Sequence, residues 1–114
     1  MKRLGEFEQM ILLALVRLGD DAYGVTIKEE IETQTGREIY VGAVYTALAR
    51  LAKHGCVSSR VGEPTPQRGG RRKKFYTLEP AGEASLTRTL DAYRGMTSGI
   101  EAELQGIAAA RSSR

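Results

Sequence analysis

Apolar residues recur at helical spacing in three segments of the first half of the chain. The stripes are Leu4, Phe7, Ile11, Leu12, Leu15 and Leu18, then Val25, Ile27 and Ile31, then Val44, Leu48 and Leu51. Charged and polar residues fill most positions between them, which is typical of amphipathic helices. Gly19, Gly36 and Gly55 follow the three stripes as stop signals, and Asp20 or Asp21 is placed to cap the second helix. The pattern predicts three helices around one core.

The periodicity changes to two after Gly55. Residues 57–61 and 75–78 alternate along the chain in a way that predicts two short strands. Glycine and proline are frequent between Gly62 and Gly70, so this stretch forms the turn of a hairpin. Pro80 then suits the first turn of a last helix, because its ring fixes φ near the helical value.

The last segment carries a second apolar repeat. Steps of four and three residues lead through Leu86, Leu90, Tyr93, Thr97, Ile100, Leu104 and Ile107. Since this seam extends beyond a three-helix core, it predicts pairing with another helix, that of a second copy of the chain. A helix folded back on its own domain is the alternative. We therefore expect residues 1–79 to form one domain and residues 80–114 a dimerisation helix with a short tail.

The charge is uneven along the chain. Lys and Arg outnumber Asp and Glu by 17 to 14, which gives a net charge of +3. Residues 1–36 carry four basic and seven acidic side chains, whereas residues 37–79 carry nine basic and three acidic ones. A positive field concentrated on one stretch is expected where a protein meets a polyanion. A solvated basic loop is the alternative.

The sequence offers little for catalysis or for a membrane. Cys56 and His54 are the only residues of their types, so a zinc site of four Cys or His ligands and an internal disulfide are poorly supplied. Gly69 and Gly70 are not followed by the Lys-Ser/Thr pair of a phosphate-binding loop. The apolar run Met10–Val16 is too short to span a bilayer. We expect no enzymatic activity, no cofactor, no metal, no membrane contact and a cytoplasmic location.

Three helices followed by a hairpin are the order of a winged helix. The predicted fold class is thus mainly α with a small β-hairpin, a winged helix-turn-helix plus a C-terminal dimerisation helix. Its third helix, residues 42–54, would enter the major groove of double-stranded DNA. The side chains off its core stripe are Gly42, Ala43, Tyr45, Thr46, Arg50 and Lys53. Thr46 and Ala43 suit base edges, whereas Tyr45 and Lys53 suit phosphates. For Tyr45, packing of the ring on the second helix is equally open.

The hairpin loop carries the densest positive charge. Its basic residues are Arg68, Arg71, Arg72, Lys73 and Lys74, grouped around Gly69 and Gly70. Arginines on a slender loop are favoured in a narrow minor groove, and such contacts depend steeply on salt. A winged helix that uses this basic loop on RNA or on an acidic protein is the alternative function.

Five stretches together resemble one family. They are Leu4–Glu8, Ala22–Ile27, Val44–Leu51 with Gly55, Gly70–Leu78, and Ala81–Gly82. The region from Leu4 to Leu90 resembles the PadR family of bacterial transcriptional regulators. The resemblance implies a homodimeric repressor that binds a palindromic operator, with the C-terminal helix packed on its mate and on the N-terminal helix.

The resemblance also implies residue roles. Tyr23, Tyr45, Thr46 and Arg50 would lie at the DNA face of the helix-turn-helix, and Arg71, Arg72 and Lys73 on the wing. Some members of the family respond to a small-molecule effector through a tryptophan in the dimer cavity, and this chain has none. Phe7, Tyr93 and Met96 are the side chains available to line such a cavity. Glu79 and Pro80 also stand where the family usually has a threonine that caps the last helix.

Overall fold

The computed structural model describes residues 3–63 and 72–112. In chain order the elements are α1 (Glu6–Leu18), a 3-10 turn (Gly19–Asp21), α2 (Gly24–Thr35), α3 (Val41–Lys53), β1 (Val57–Val61), β2 (Lys74–Leu78), α4 (Pro80–Thr97) and α5 (Glu101–Ser112). This order confirms the predicted fold class, a mainly helical chain with a hairpin after the third helix. Arg68 and Arg71, two of the predicted wing residues, lie outside the described residues.

The three predicted stripes meet in one core. The largest fully buried side chains are Ile11, Leu12, Ile27, Val44, Leu48, Leu51 and Cys56. They come from α1, α2, α3 and the start of the hairpin, so each element contributes one apolar face. Burying one such aliphatic side chain stabilises the fold by about 1.5–3 kcal/mol.

The start of α2 differs from the expectation. Asp20 and Asp21 lie in the 3-10 turn, and the residue that precedes the helix is Tyr23, so the prediction of an aspartate cap is wrong. Thr26 performs this role from inside the helix, because its Oγ1 accepts the backbone N–H of Tyr23 at 2.9 Å. The same hydroxyl donates to the carbonyl of Asp21 at 2.6 Å. A short side chain inside the first turn thus replaces the expected carboxylate.

The hairpin of β1 and β2, which we call the wing, is antiparallel and is hydrogen-bonded to the segment before α2. Its register pairs Val57 with Leu78 and Arg60 with Phe75. Val57 and Tyr76 face the core, where both are buried. The backbone N–H of Tyr76 donates to the carbonyl of Ala22 at 2.8 Å, which ties β2 to the segment between α1 and α2.

The first half of α4 belongs to the core of the same chain. Pro80 occupies its first turn, as predicted. Gly82 is buried against the backbone of Cys56, and a Cβ at this position would overlap the carbonyl oxygen of Cys56. Leu86 is 5% exposed within the core, and Leu90 is half-buried against it. The assignment of Leu86 to a contact with a second copy is therefore wrong. Leu90 packs largely against its own domain.

The predicted seam does not follow one continuous helix. The last segment is divided into α4 and α5 by Ser98–Ile100, where Gly99 has a φ of 83°. This left-handed conformation favours glycine and ends the helix. Leu86 and Leu90 lie in α4, whereas Leu104 and Ile107 lie in α5 and Ile100 directly precedes it. In the part of the chain that the structure describes, no helix is long and apolar enough to cross a membrane.

Candidate nucleic-acid interface

Helix α3 separates a buried face from an exposed one. Its buried side chains are Val44, Ala47, Leu48 and Leu51. All six residues that the sequence assigned to a DNA surface are exposed, namely Gly42, Ala43, Tyr45, Thr46, Arg50 and Lys53. The periodicity of α3 therefore separated the two faces correctly.

The N-terminal half of the exposed face is shallow. Gly42 and Ala43 carry little or no side chain, and a Cβ on Gly42 would meet only open space. The Thr46 hydroxyl donates to the carbonyl of Gly42 at 3.0 Å. This bond uses the hydroxyl hydrogen, so the oxygen lone pairs and the methyl group remain available to a ligand.

Tyr45 joins α3 to the start of α2. Its side chain is 46% exposed, and its ring lies directly on the backbone of Gly24. The predicted packing of the ring on the second helix is thus observed, while part of the ring reaches solvent; its role as a phosphate ligand stays a prediction. Burial raises the pKa of the neighbouring Tyr76, and proximity to Tyr45 adds to this effect.

Arg50 and Lys53 differ in their electrostatic surroundings. The guanidinium of Arg50 lies 3.8 Å from a carboxylate oxygen of Glu8 in α1. The other oxygen of Glu8 accepts the backbone N–H of Gly5 at 2.9 Å. The charge of Arg50 is therefore partly neutralised by Glu8. Lys53, in contrast, has no carboxylate within 4.0 Å among residues 3–63 and 72–112.

Tyr23 and Lys73 are 50 positions apart in sequence and adjacent in space. The Lys73 ammonium lies 4.5 Å from the centroid of the Tyr23 ring and 3.4 Å from its hydroxyl oxygen. The Tyr23 ring also meets Phe75 edge-on, with centroids 5.4 Å apart. The guanidinium of Arg60 lies 4.7 Å from the Phe75 centroid. These contacts bring the start of α2 and the base of the wing into one surface.

The remaining wing cations point in different directions. Arg72 is exposed just before β2. Lys74 lies over the ring of Tyr76 at 5.9 Å, on the opposite face of the strand from Phe75. The predicted set of wing bases is thus not one uniform patch in the part of the wing that the structure describes.

Three residues of this surface were missed by sequence reasoning. Arg60 and Phe75 were interpreted only as strand residues, although strand alternation places Phe75 on the same face as Lys73, two residues before it. Tyr40 directly precedes α3 and is 83% exposed, an unusual position for an aromatic ring. An isolated tyrosine beside a helix start gives no periodic signal, so only the fold reveals its exposure.

Four acidic residues of α1 and α2, namely Glu6, Glu8, Glu30 and Glu32, form ion pairs. Arg17 binds Glu30 at 2.8 Å, and Arg37 binds Glu6 at 2.9 Å. Hydrogen bonds from Arg17 and Gln34 lower the pKa of Glu30. Much of the negative charge of the first two helices is therefore held in ion pairs, one of them with Arg50 of α3, whereas no carboxylate lies within 4.0 Å of Lys53, Arg60 or Lys73 in the described part of the chain.

No group of three or more His, Cys, Asp or Glu side chains that could hold a metal ion occurs among the described residues. Cys56 is fully buried, and burial raises the pKa of its thiol. A thiol in this state is a poor nucleophile at neutral pH.

Two apolar surfaces lie away from α3 and the wing. The first, which we call the α5 stripe, consists of Ile100 directly before α5 and of Leu104 and Ile107 within it, with exposures of 42%, 44% and 58%. The second is a groove of about 400 Å³ between α1 and α2, which we call the α1–α2 groove. It is lined by Met10, Leu13, Ala14, Val16, Arg17, Glu30, Ile31, Gln34 and Thr35.

A third surface is a larger groove of about 760 Å³ between the start of α1 and α4, which we call the α1–α4 groove. Its lining combines apolar and polar groups, namely Arg3, Leu4, Gln9, Ser85, Arg88, Thr89, Ala92, Tyr93 and Met96. Tyr93 and Met96 of the expected effector cavity line this groove, whereas Phe7 packs against the core.

Comparison with known proteins identifies similar chains. Residues 12–88 match the family model described as the transcriptional regulator PadR-like family. A PadR family transcription regulator from Clostridium difficile is 23% identical, with 88% of this chain and 99% of that chain covered and a TM-score of 0.68. A transcriptional regulator from Clostridium thermocellum is 27% identical, with coverages of 82% and 87% and a TM-score of 0.65. A PadR-like regulator from Bacillus cereus is 17% identical, with coverages of 87% and 91% and a TM-score of 0.67. No curated protein gives a significant sequence match.

Proposed function

Because the chain belongs to the PadR-like family of transcriptional regulators, we propose that it is a sequence-specific DNA-binding repressor that acts as a homodimer. One observation carries the proposal. The exposed face of α3 is shallow at its N-terminal half and carries Arg50 and Lys53 in its C-terminal half, while Lys73 of the wing lies over Tyr23, the residue before the Gly24 on which Tyr45 packs. A shallow helix surface fits the major groove, and the flanking cations fit the phosphates on its edges.

The proposed roles are of two kinds, contacts to base edges that read the sequence and contacts to phosphates that position the protein. Thr46 and Ala43 contact base edges, because their small side chains let α3 approach the floor of the groove. Tyr45, Lys53, Arg72 and Lys73 bind phosphates and set the register of the helix. Arg50 contributes less to phosphate binding than its charge suggests, since the carboxylate of Glu8 lies beside its guanidinium. Tyr23 acts at the same face through its contact with Lys73.

The proposed dimer covers the exposed apolar surfaces of the C-terminal region. Ile100, directly before α5, and Leu104 and Ile107 within it are exposed, and the three-residue step from Leu104 to Ile107 places these two side chains on one side of the helix. The α1–α2 groove offers a complementary apolar surface on a second copy. Two-fold pairing of this kind presents two copies of α3 to half-sites about 34 Å apart, which accounts for a palindromic operator.

A small-molecule effector is the second part of the proposal. The α1–α4 groove combines two arginines with Tyr93 and Met96, a lining that suits a ligand with both polar and apolar parts. Because α4 lines this groove and leads into α5, its occupancy would change the separation of the two recognition helices. Such a ligand would release the repressor from its operator.

A binding-site selection from random duplex DNA, followed by titration at several salt concentrations, tests the function. We expect a palindromic sequence to be enriched and to bind at least about 1,000-fold more tightly than its shuffled version. Single-stranded RNA and an acidic peptide serve as competitors. Equal affinity for selected and shuffled DNA would contradict the proposed repressor function. Preference for either competitor would favour the RNA-binding or protein-binding alternative.

A further inference from the structure

Four side chains form a continuous stack on the face of the hairpin that points away from the core. Their order is Arg60, Phe75, Tyr23 and Lys73, so a cation stands at each end and two aromatic rings lie between them. The two rings meet at an interplanar angle of 74°, the edge-to-face arrangement that aromatic pairs favour. We call this row the wing-base stack.

The wing-base stack is also held by the backbone. Tyr23 and Phe75 form an antiparallel bridge, which adds the start of α2 to the edge of β2. Gly62 leaves room for the Phe75 ring, because a Cβ at that position would overlap it. A hairpin of two strands is marginally stable by itself. The bridge and the stack therefore fix the position of the wing relative to the start of α2.

The stack holds its cations without neutralising them. Within the described part of the chain, neither Arg60 nor Lys73 lies within 4.0 Å of a carboxylate. A ring face attracts a cation through its quadrupole, so the side chain is oriented while its full charge and its outward N–H donors remain available. This differs from Arg50, whose guanidinium is shared with Glu8.

We propose that Arg60 is a further contact to the DNA backbone, and that Tyr23 and Phe75 are positioning residues that aim Arg60 and Lys73 at phosphates. The inference rests on the proposed DNA binding and adds residues to it. The contact is with the backbone because the stack lies at the base of the wing, beside the start of α2, and not on the exposed face of α3. Phosphate contacts of this kind fix register without reading sequence.

Salt titration of the full-length protein on its selected operator provides the test. Each phosphate contact contributes about 0.9 to the slope of log K against log salt concentration. We expect Arg60→Gln to reduce the slope by about this amount. Phe75→Leu should reduce the slope similarly and weaken binding about two- to fivefold, since it removes the ring face but keeps Arg60 and the apolar bulk. Phe75→Tyr, which keeps the ring, should retain the wild-type slope.

The double variant separates positioning from mere structural support. If Phe75 acts through Arg60, then Phe75→Leu should have little further effect on the slope of the Arg60→Gln protein. Arg94→Gln removes one positive charge from the exposed surface of α4 and serves as the matched control, with an unchanged slope. Thermal unfolding checks that each variant is folded.

Three results would overturn the inference. They are an unchanged slope for Arg60→Gln, an equal loss for Arg94→Gln, and a Phe75→Leu effect that is the same with and without Arg60. Arg60→Gln and Phe75→Tyr decide the matter even if Phe75→Leu does not fold. Absence of salt-dependent DNA binding by the wild-type protein would instead contradict the proposed function itself, so the two failures are distinguishable.

Discussion

The ring of Tyr45 occupies the space that a side chain at Gly24 would need. This contact couples the start of α2 to the exposed face of α3, because the absence of a Cβ at position 24 determines how closely the ring packs. The outer end of the ring, with the hydroxyl, is the part that a Cβ would displace. Gly24 is therefore tied to the direction in which Tyr45 presents its hydroxyl.

Gly24→Ala is expected to weaken DNA binding more than it weakens the fold. The tip of Tyr45 can rotate away, so the melting temperature should change little, while its proposed phosphate contact, worth about 1 kcal/mol, is lost. Fluorescence anisotropy with operator DNA and thermal unfolding measure the two effects. Tyr45→Phe should reproduce the loss of affinity. Unchanged binding by Gly24→Ala would show that the orientation of the Tyr45 ring does not matter.

Gly82→Ala should destabilise the protein by about 1–3 kcal/mol, because the new Cβ would collide with backbone of Cys56 that cannot rotate away. Gly95→Ala is the matched control in the same helix, since its Cβ would meet open space. Replacement of a helical glycine in such a position stabilises by about 0.5–1 kcal/mol. Urea unfolding of both variants should therefore give changes of opposite sign. Equal effects would mean that the junction of α4 with the hairpin is not tightly packed.

Thr46→Ala and Lys53→Gln should alter DNA binding in different ways. Loss of the Thr46 hydroxyl should relax discrimination at particular base pairs by about 1–3 kcal/mol. Loss of the Lys53 charge should weaken all sequences alike and reduce the salt slope by about 0.9. Titration against a panel of single-base operator variants separates the two patterns. A uniform effect of Thr46→Ala on all operator variants would show that Thr46 does not contact a base edge.

Leu104→Lys should convert the proposed dimer into monomers, because it places a charge in the middle of the exposed α5 stripe. Ala102→Lys adds the same charge to the opposite side of α5 and should leave the dimer intact. Analytical ultracentrifugation reports the mass of each variant. A Leu104→Lys dimer would show that α5 is not the contact. Leu90→Lys is a poor substitute for this experiment, since Leu90 packs against its own core.

Glu32 should contribute stability that depends on pH. The backbone N–H of Ile39 and the ammonium of Lys28 donate to its carboxylate at 3.0 and 2.9 Å, and these hydrogen bonds lower its pKa in the folded state. The contribution is therefore fully present above the unfolded-state pKa of about 4.3 and is lost as the pH falls through the lower, folded-state value.

Glu32→Gln should consequently be less stable than the wild type at pH 7, and the difference should shrink towards pH 3. Urea unfolding across this range measures it. Glu29→Gln changes an exposed glutamate of the same helix and should follow the wild-type profile. A stability difference for Glu32→Gln that is constant with pH would show that the carboxylate charge is not what the two donors stabilise.

Local periodicity predicted more of the fold than of the site. The spacing of Val44, Leu48 and Leu51 was enough to define the buried face of α3, because a helix places residues three and four apart on one side. It also identified the exposed face opposite. It did not identify the partner of Arg50, since Glu8 lies on another helix and no local rule links the two positions.

The C-terminal region shows the same division. The heptad spacing that starts at Leu86 predicted one long helix, and it could not reveal that Leu86 enters the core or that Gly99 ends α4. A single glycine with a positive φ outweighs the apolar repeat at that point, because continuing the helix depends on each residue adopting helical dihedral angles.

The sequence by itself determined the order of the elements, the core-facing residues of α1 to α3 and the concentration of positive charge after residue 36. These properties depend on neighbours within about four positions, where helix and strand geometry dictate which side chains share a face. Tertiary structure decided the rest. Three contacts join residues from separate elements, namely the packing of Tyr45 on Gly24, the wing-base stack and the pairing of Arg50 with Glu8. Each forms only when the core has brought those elements together.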